Sequence, residues 1–307
     1  MTTPEPAYVA VDWGTSSFRL WLIGKDGDVL AERRSGEGMT TAARTGFAEV
    51  LQSHLAAVLA PAGLPVLICG MAGAKQGWIE AGYLDTPAAL ADIPAAAVRI
   101  PGASADIRIL PGLAQRDAAA PDVMRGEETQ LLGAAATLGE GDHLVCMPGT
   151  HSKWVRLSGG KVAGFSTFMT GELFEAIARN TILSHAIAET VAIAGDNAAF
   201  RAAVVRMVAN PALATSQIFS VRAGSLIAGL SPVDAKARLS GTLIGLEIAG
   251  ALSLVAEGTP VMLVVSGGLG ALYKDALAAA GIAPTVIDAD TAVRDGLAAG
   301  AKALWSL

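Results

Sequence analysis

The segment Asp12-Trp13-Gly14-Thr15-Ser16-Ser17-Phe18-Arg19 combines residue types that hold phosphate. Gly14 lets backbone approach a ligand closely. The N–H groups after it, with the hydroxyls of Thr15, Ser16 and Ser17, can donate to phosphate oxygens. Asp12 ends an apolar run and can hold Mg2+, through water because that ion gives up its hydration reluctantly. Arg19 can add a cationic contact to phosphate. An ordinary β-turn with an exposed acid would use the same residues, so the setting of the turn has to decide.

A second turn, Pro148-Gly149-Thr150-His151-Ser152-Lys153, offers another set of donors from Gly149, Thr150 and Ser152. His151 can donate to phosphate or serve as a hydrogen-bonded structural histidine. Lys153 can meet phosphate or a substrate carboxylate, or lie solvated at a strand edge. A third turn, Ser266-Gly267-Gly268-Leu269-Gly270, lacks the spacing of a P-loop and the acidic partner of a dinucleotide fingerprint. Gly267 and Gly268 there suit either a flat platform for an adenine or a tight strand-to-helix connection.

The elements that must carry these turns repeat in order. Apolar strands are expected over 8–12 and 18–23, with a hairpin at Lys25-Asp26-Gly27-Asp28 and a return strand over 29–34. A helix follows, its apolar positions being Phe47, Val50, Leu51, Leu55, Val58 and Leu59, and then a buried strand over 66–69. The order recurs as strands over 143–147, 153–157 and 162–167, a helix from about Gly171-Glu172, and an all-apolar strand over 261–265 before a helix at 272–280. Helices are expected over 127–138 and from Ser231-Pro232 to about Val255, with Ser as N-cap and Pro in the first turn. Gly241, Gly245 and Gly250 are spaced for close packing, and Lys236, Arg238 and Glu247 mark this helix as a soluble one. The pattern predicts two similar α/β domains facing one cleft, 1–139 and 140–307, divided near Gly139-Glu140-Gly141.

Composition limits the function. The 307 residues are 52% hydrophobic and 16% charged, with 35 glycines and a net charge of −6. A sizeable core is within reach, and an acidic balance without a basic stripe speaks against nucleic-acid binding. Cys69 and Cys146 lie in apolar runs and read as buried small hydrophobes. Residues 1–7 show no secretory pattern, and the longest charge-free stretch, 51–74, is broken by prolines and glycines. The expectation is a cytoplasmic protein with no membrane partner.

The three turns, with a helix before the second, resemble the phosphate-1, phosphate-2 and adenosine motifs of the actin/hexokinase/Hsp70 superfamily. Within it, Gly70-Met71-Ala72-Gly73-Ala74-Lys75-Gln76-Gly77-Trp78, Met124-Arg125-Gly126-Glu127-Glu128-Thr129-Gln130, Pro148 to Trp154, and Phe168-Met169-Thr170-Gly171-Glu172-Leu173-Phe174 resemble the 2-dehydro-3-deoxygalactonokinase family. The resemblance spans essentially the whole chain. It implies two ribonuclease H-like (actin-like ATPase) domains around a nucleotide cleft, with ATP and Mg2+ as cofactors. It also implies transfer of the γ-phosphate to the terminal primary hydroxyl of 2-dehydro-3-deoxy-D-galactonate, and it leaves a homodimer open. One departure is Pro148, where many superfamily members carry an Asp, so the metal falls more heavily on Asp12.

Phosphoryl transfer asks for positioning and charge neutralisation, and a carboxylate can orient the acceptor hydroxyl. Glu127 and Glu128 are the candidates, with Asp12 as a third. Their Gly-Glu-Glu setting resembles the place where related polyphosphate-cleaving enzymes keep a water-activating Glu, and spacing favours Glu128. Both also suit a helix N-terminus on electrostatic grounds. For the substrate carboxylate, Lys75, Arg125 and Lys153 are available; Gln76, Trp78, Thr170 and Glu172 can meet hydroxyls or pack on the sugar acid. Two alternatives fit the same architecture: a polyphosphatase-like phosphohydrolase, and a non-enzymatic, sugar-responsive ATP-binding protein.

Overall fold

The computed structural model describes residues 5–139, 141–187 and 192–305. Glu140 of the expected boundary, and residues 1–4 of the segment expected to carry no secretory pattern, lie outside them. The chain forms two compact units, 1–140 with 158–164 and 289–307, and 141–157 with 165–288. The expected sequential division, 1–139 and 140–307, differs from this in the last helix and one hairpin tip, both of which belong to the first unit.

The first unit opens with β1 (Pro6–Trp13), β2 (Phe18–Gly24) and β3 (Val29–Ser35). There follow α1 (Met39–Thr45), α2 (Phe47–Ala57) and β4 (Val66–Gly70). The short strands β5 (Tyr83–Asp85), β6 (Ala88–Ala89), β7 (Val98–Arg99), β8 (Ile107–Ile109), β9 (Gly112–Gln115) and β10 (Asp122–Met124) precede α3 (Glu127–Leu138). The main sheet runs β3-β2-β1-β4-β8-β7. Strands β1 to β3 pair antiparallel, whereas β4 lies parallel to β1 and β8 parallel to β4. Strand β4 is buried throughout, as its all-apolar sequence requires. Val9, Val11, Trp13, Phe18, Leu20 and Ile68 join Leu51 and Val50 of α2 in one core. Helix α2 stops at Ala57: Leu59, expected on its apolar face, has φ 54° and is 86% exposed.

The second unit contains β11 (Asp142–Met147), β12 (Ser152–Ser158) and β13 (Lys161–Phe168), of which only the hairpin tip belongs to the first unit. It continues with α4 (Thr170–Asn180), α5 (Ala198–Ala209), α6 (Ala214–Ile227), α7 (Pro232–Leu252), β14 (Val261–Val265), α8 (Gly268–Ala279) and β15 (Thr285–Asp288). Its strands lie in the order β15-β14-β11-β12-β13. This repeats the first unit's β8-β4-β1-β2-β3, first strand for first strand, and reproduces the predicted duplication. Ser231 caps α7 by accepting from Asp234 N, with Pro232 next to it. Gly241 and Gly245 let α7 meet the backbone of α5: a Cβ at Gly245 would stand 2.8 Å from Val204 O. The spacing of these glycines therefore serves packing inside this unit.

Helix α9 (Ala289–Trp305) returns to the first unit and crosses α3. Glycines make the crossing close, since a Cβ on Gly133 would collide with Ala292 O and one on Gly296 with Thr129 O. No helix among the described residues is long and apolar enough to cross a membrane. Cys69 and Cys146 are buried free thiols, as expected.

Candidate active site

In the first unit the chemistry gathers where β1 and β4 end. Strand β1 delivers Asp12, and Gly14 N donates to Ser17 O at 2.9 Å to close the turn. The segment entering α1 lies on that turn: Met39 N donates to Gly14 O and Thr40 N to Thr15 O, and a Cβ at Gly38 would meet Ser16 backbone at 2.6 Å. Trp13 and Phe18 anchor its two ends in the core, edge to face at 4.8 Å. Thr15 and Ser16 remain exposed. Gly70 ends β4 with φ +89°, beside Trp13; a side chain there would strike Trp13 O at 2.7 Å.

Asp12 is enclosed. Its Oδ2 lies 3.0 Å from Arg19 Nη2, and its Oδ1 accepts from Cys69 Sγ at 3.8 Å. Burial raises its pKa above the ordinary carboxylate range, and the Arg19 guanidinium opposes that shift. Arg19 also pairs with Asp290 at the start of α9, and Arg34 of β3 reaches the same Asp290 at 3.0 Å. Burial would raise Asp290, but the guanidiniums of Arg19 and Arg34 prevail and hold it low. Arg19, the expected phosphate contact, is thus shared between two carboxylates. Asp290 carries no sequence signature and was not foreseen.

The adjacent glutamates differ sharply. Glu128 is fully buried; it accepts from Gly126 N at 2.6 Å and from Thr129 Oγ1 at 3.0 Å. Burial first, and the neighbouring Glu127 second, push its pKa up to about 8, so its carboxyl is mostly protonated at pH 7. Glu127 is partly exposed and accepts from Arg125 N at 3.1 Å. Arg125 is committed to structure: Nη1 and Nη2 donate to Ala81 O and Gly82 O, and the guanidinium lies over Tyr83 at 4.5 Å. Trp78 stacks on Phe47 and meets Trp13 edge-on, as part of the core. Lys75 and Gln76 are exposed on the segment after β4, and no hydrogen bond or ion pair engages the Lys75 ammonium among the described residues.

In the second unit the turn after β11 docks on the start of α4. Glu172 N donates to Thr150 O at 3.1 Å, and a Cβ on Gly171 would stand 2.9 Å from Gly149 O. His151 Nε2 and Glu172 Oε2 pair at 2.5 Å, so both residues hold the turn to the helix. Beside this contact lies a pocket of about 360 Å³. Gly149, Thr150, Thr170 and Gly171 form one wall, and Ser240, Leu269 and Tyr273 contribute to the others. Leu243, Ile244 and Leu272 make much of the remaining lining apolar. Gly267, with φ +66°, caps α8, and Gly268 is already helical. The third turn is therefore a strand-to-helix connection in which Leu269 and Leu272, not Gly267 and Gly268, line the pocket. Lys153 is buried and donates from Nζ to Thr167 Oγ1 at 2.7 Å. Ser152, Thr170 and Tyr273 converge on the buried Glu247, which in the sequence reads only as one of the charges that mark a soluble helix.

A duplicated five-strand order with a Gly/Ser/Thr turn after the first strand of each half is the actin/hexokinase/Hsp70 architecture, and the relatives of this chain make it an ATP-dependent phosphotransferase. The fold is shared by component A of the (R)-2-hydroxyglutaryl-CoA dehydratase of Acidaminococcus fermentans, at a TM-score of 0.52 and 13% identity over 96% of this chain and 98% of that one. Residues 12–299 match the family model described as 2-keto-3-deoxy-galactonokinase. A Rhizobium meliloti (strain 1021) protein, provisionally named a 2-dehydro-3-deoxygalactonokinase, is 67% identical over 98% of both chains. The 2-dehydro-3-deoxygalactonokinase of Escherichia coli (strain K12) is 34% identical over 97% of this chain and 98% of its own. A Sinorhizobium meliloti crystal structure bearing the same name provisionally superposes with a TM-score of 0.95 at 67% identity, covering 98% of this chain and all of that one. The chain belongs to the 2-keto-3-deoxy-galactonokinase family.

Proposed function

We propose that this chain transfers the γ-phosphoryl group of ATP to the terminal primary hydroxyl of 2-dehydro-3-deoxy-D-galactonate. Family membership over nearly the full chain carries the reading, and it favours neither the phosphohydrolase nor the non-enzymatic alternative. The pocket beside Gly149 and Thr150 takes the nucleotide, its apolar walls facing the base and its backbone donors the phosphates.

Magnesium suits the first turn. Asp12 is one carboxylate beside the exposed hydroxyls of Thr15 and Ser16, a donor set for an ion that keeps most of its waters and its nucleotide oxygens. No cluster of three His, Cys, Asp or Glu side chains gathers for a metal among the described residues. When bound, the ion supplies positive charge at the phosphates. Asp12 orients it, and Arg19 limits the cost of burying that carboxylate.

The proton acceptor is Glu127 in this reading. Glu128 is held neutral and has both oxygens engaged by Gly126 and Thr129, so its part is to shape the turn before α3. Lys75, exposed and without an ion-pair partner among the described residues, receives the substrate carboxylate, because Arg125 is spent on Ala81 and Gly82.

The test is a kinase assay on 2-keto-3-deoxy sugar acids, with the galactonate- and gluconate-derived epimers side by side and ATP alone as control. ADP formation that depends on the galactonate derivative supports the reading. Equal phosphate release from ATP without any sugar acid overturns it in favour of the hydrolase.

A further inference from the structure

Glu247 lies in the middle of α7, 1% exposed, with a buried Trp, a buried Tyr and two hydroxyls around its carboxyl group. Its Oε1 accepts from Trp154 Nε1 at 2.8 Å, and Tyr273 OH meets its Oε2 at 2.8 Å. Tyr273 OH also lies 2.9 Å from Ser152 Oγ, and the hydroxyl of Thr170 bonds the same carboxyl. These partners come from three elements: Ser152 and Trp154 from β12 just after the second turn, Thr170 from the first residue of α4, and Tyr273 from α8. Thr170 and Tyr273 line the pocket, and Ser152 ends the turn that Gly149 and Thr150 form in its wall. An isolated buried carboxyl is costly unless every bond is made, and here each oxygen has a partner.

We propose that Glu247 is a positioning residue for nucleotide binding: a single buried carboxyl group ties β12, α4 and α8 together and so fixes the turn and pocket wall that receive ATP. The proposal rests on assigning this pocket to the nucleotide. An apolar side chain of similar size would fill the volume but leave the Trp154 N–H without its acceptor and Tyr273 with Ser152 alone, so that β12, α4 and α8 lose their shared tie to α7. Glutamine preserves the arrangement. Its carbonyl accepts from Trp154 Nε1, and its amide donates to Tyr273 OH, which then donates to Ser152.

The experiment measures ADP binding to the full chain by calorimetry, together with the KM for ATP and for the sugar acid. The variants are Glu247→Leu, Glu247→Gln and the pocket-filling Ser240→Phe. Ser240→Phe and Glu247→Leu are each expected to weaken ADP binding about tenfold or more, as loss of a supporting partner does at other sites. Glu247→Leu raises the KM for ATP and leaves that for the sugar acid unchanged, and Glu247→Gln stays within about threefold of the parent. Should Glu247→Leu fail to fold, Tyr273→Phe carries the test, since it keeps the ring and removes the hydroxyl that joins Glu247 to Ser152; weaker ADP binding is expected there too. Folded Glu247→Leu with parental ADP affinity, alongside a weakened Ser240→Phe, reduces Glu247 to a purely structural role and overturns the proposal. Parental affinity in both overturns the pocket assignment itself.

Discussion

Replacing Glu128 by glutamine separates a buried neutral carboxyl from a working base. In the folded chain this group releases its proton at about 8, against an ordinary 4.5, because burial penalises the anion and Glu127 repels it. The unfolded chain gives up the proton above about pH 4.5 while the folded chain keeps it, so the unfolded state binds fewer protons and stability falls as pH rises across that window. By pH 7 the penalty reaches about 3 kcal/mol, at about 1.4 kcal/mol per pH unit. Glutamine imitates the protonated acid: its carbonyl can accept from Gly126 N, and its amide can donate to Thr129 Oγ1. The variant and its parent should therefore unfold at similar denaturant concentrations near pH 4.5, and the variant should be the more stable by about 3 kcal/mol at pH 7. Chemical denaturation at a series of pH values reads this directly. Parallel stability curves would show that Glu128 is not held neutral. A large fall in kcat for Glu128→Gln, with Glu127→Gln unaffected, would return the base role to Glu128.

Asp12→Asn should lower kcat on the order of 100-fold or more while the melting temperature changes little, because this carboxylate would orient the cation that neutralises the negative charge on the phosphates; an unimpaired kcat removes Asp12 from the mechanism. Lys75→Ala should raise the KM for the sugar acid and leave the KM for ATP alone, since Lys75 is exposed on the segment after β4; a change confined to ATP refutes its assignment to the substrate carboxylate. Gly245→Ala should cost about 1–3 kcal/mol in denaturant unfolding, as its Cβ would lie 2.8 Å from Val204 O and 2.9 Å from Met207 Cβ; unchanged stability would mean that α5 and α7 can part without cost.

The strands that carry the turns were legible because each is a continuous apolar run that breaks abruptly into Gly, Ser and Thr. β14 has its expected bounds, and β1, β2, β11 and β12 differ from expectation by no more than a few residues at their ends. Between β4 and α3 the sequence gives no such contrast. Strands there are two to four residues long, as at Ala88–Ala89 and Val98–Arg99, and pair through backbone contacts that leave no period to read. The placement of α9 was also hidden. Its helical pattern is local, but its membership of the first unit depends on Gly133 and Gly296 meeting backbone more than 150 residues away in sequence.

For the site, residue type told which groups could do chemistry and failed to tell which were already engaged. Arg19, Arg125 and Lys153 look interchangeable as free cations in the sequence. In the fold, Arg19 closes a chain of alternating charge through Asp12, Asp290 and Arg34. Arg125 clasps two carbonyls, and Lys153 binds Thr167 from a buried position. Only long-range pairing reveals such commitments, as for Arg19, 271 residues from Asp290. The same holds for the acids. Glu247 was read as a charge that keeps α7 soluble, yet it faces a Trp N–H and a Tyr hydroxyl inside the core. A lone acid in an otherwise apolar stretch such as Leu243-Ile244-Gly245-Leu246-Glu247-Ile248-Ala249 is a signal of its own: that helix has no polar face there to present it, so a partner in the interior must satisfy it.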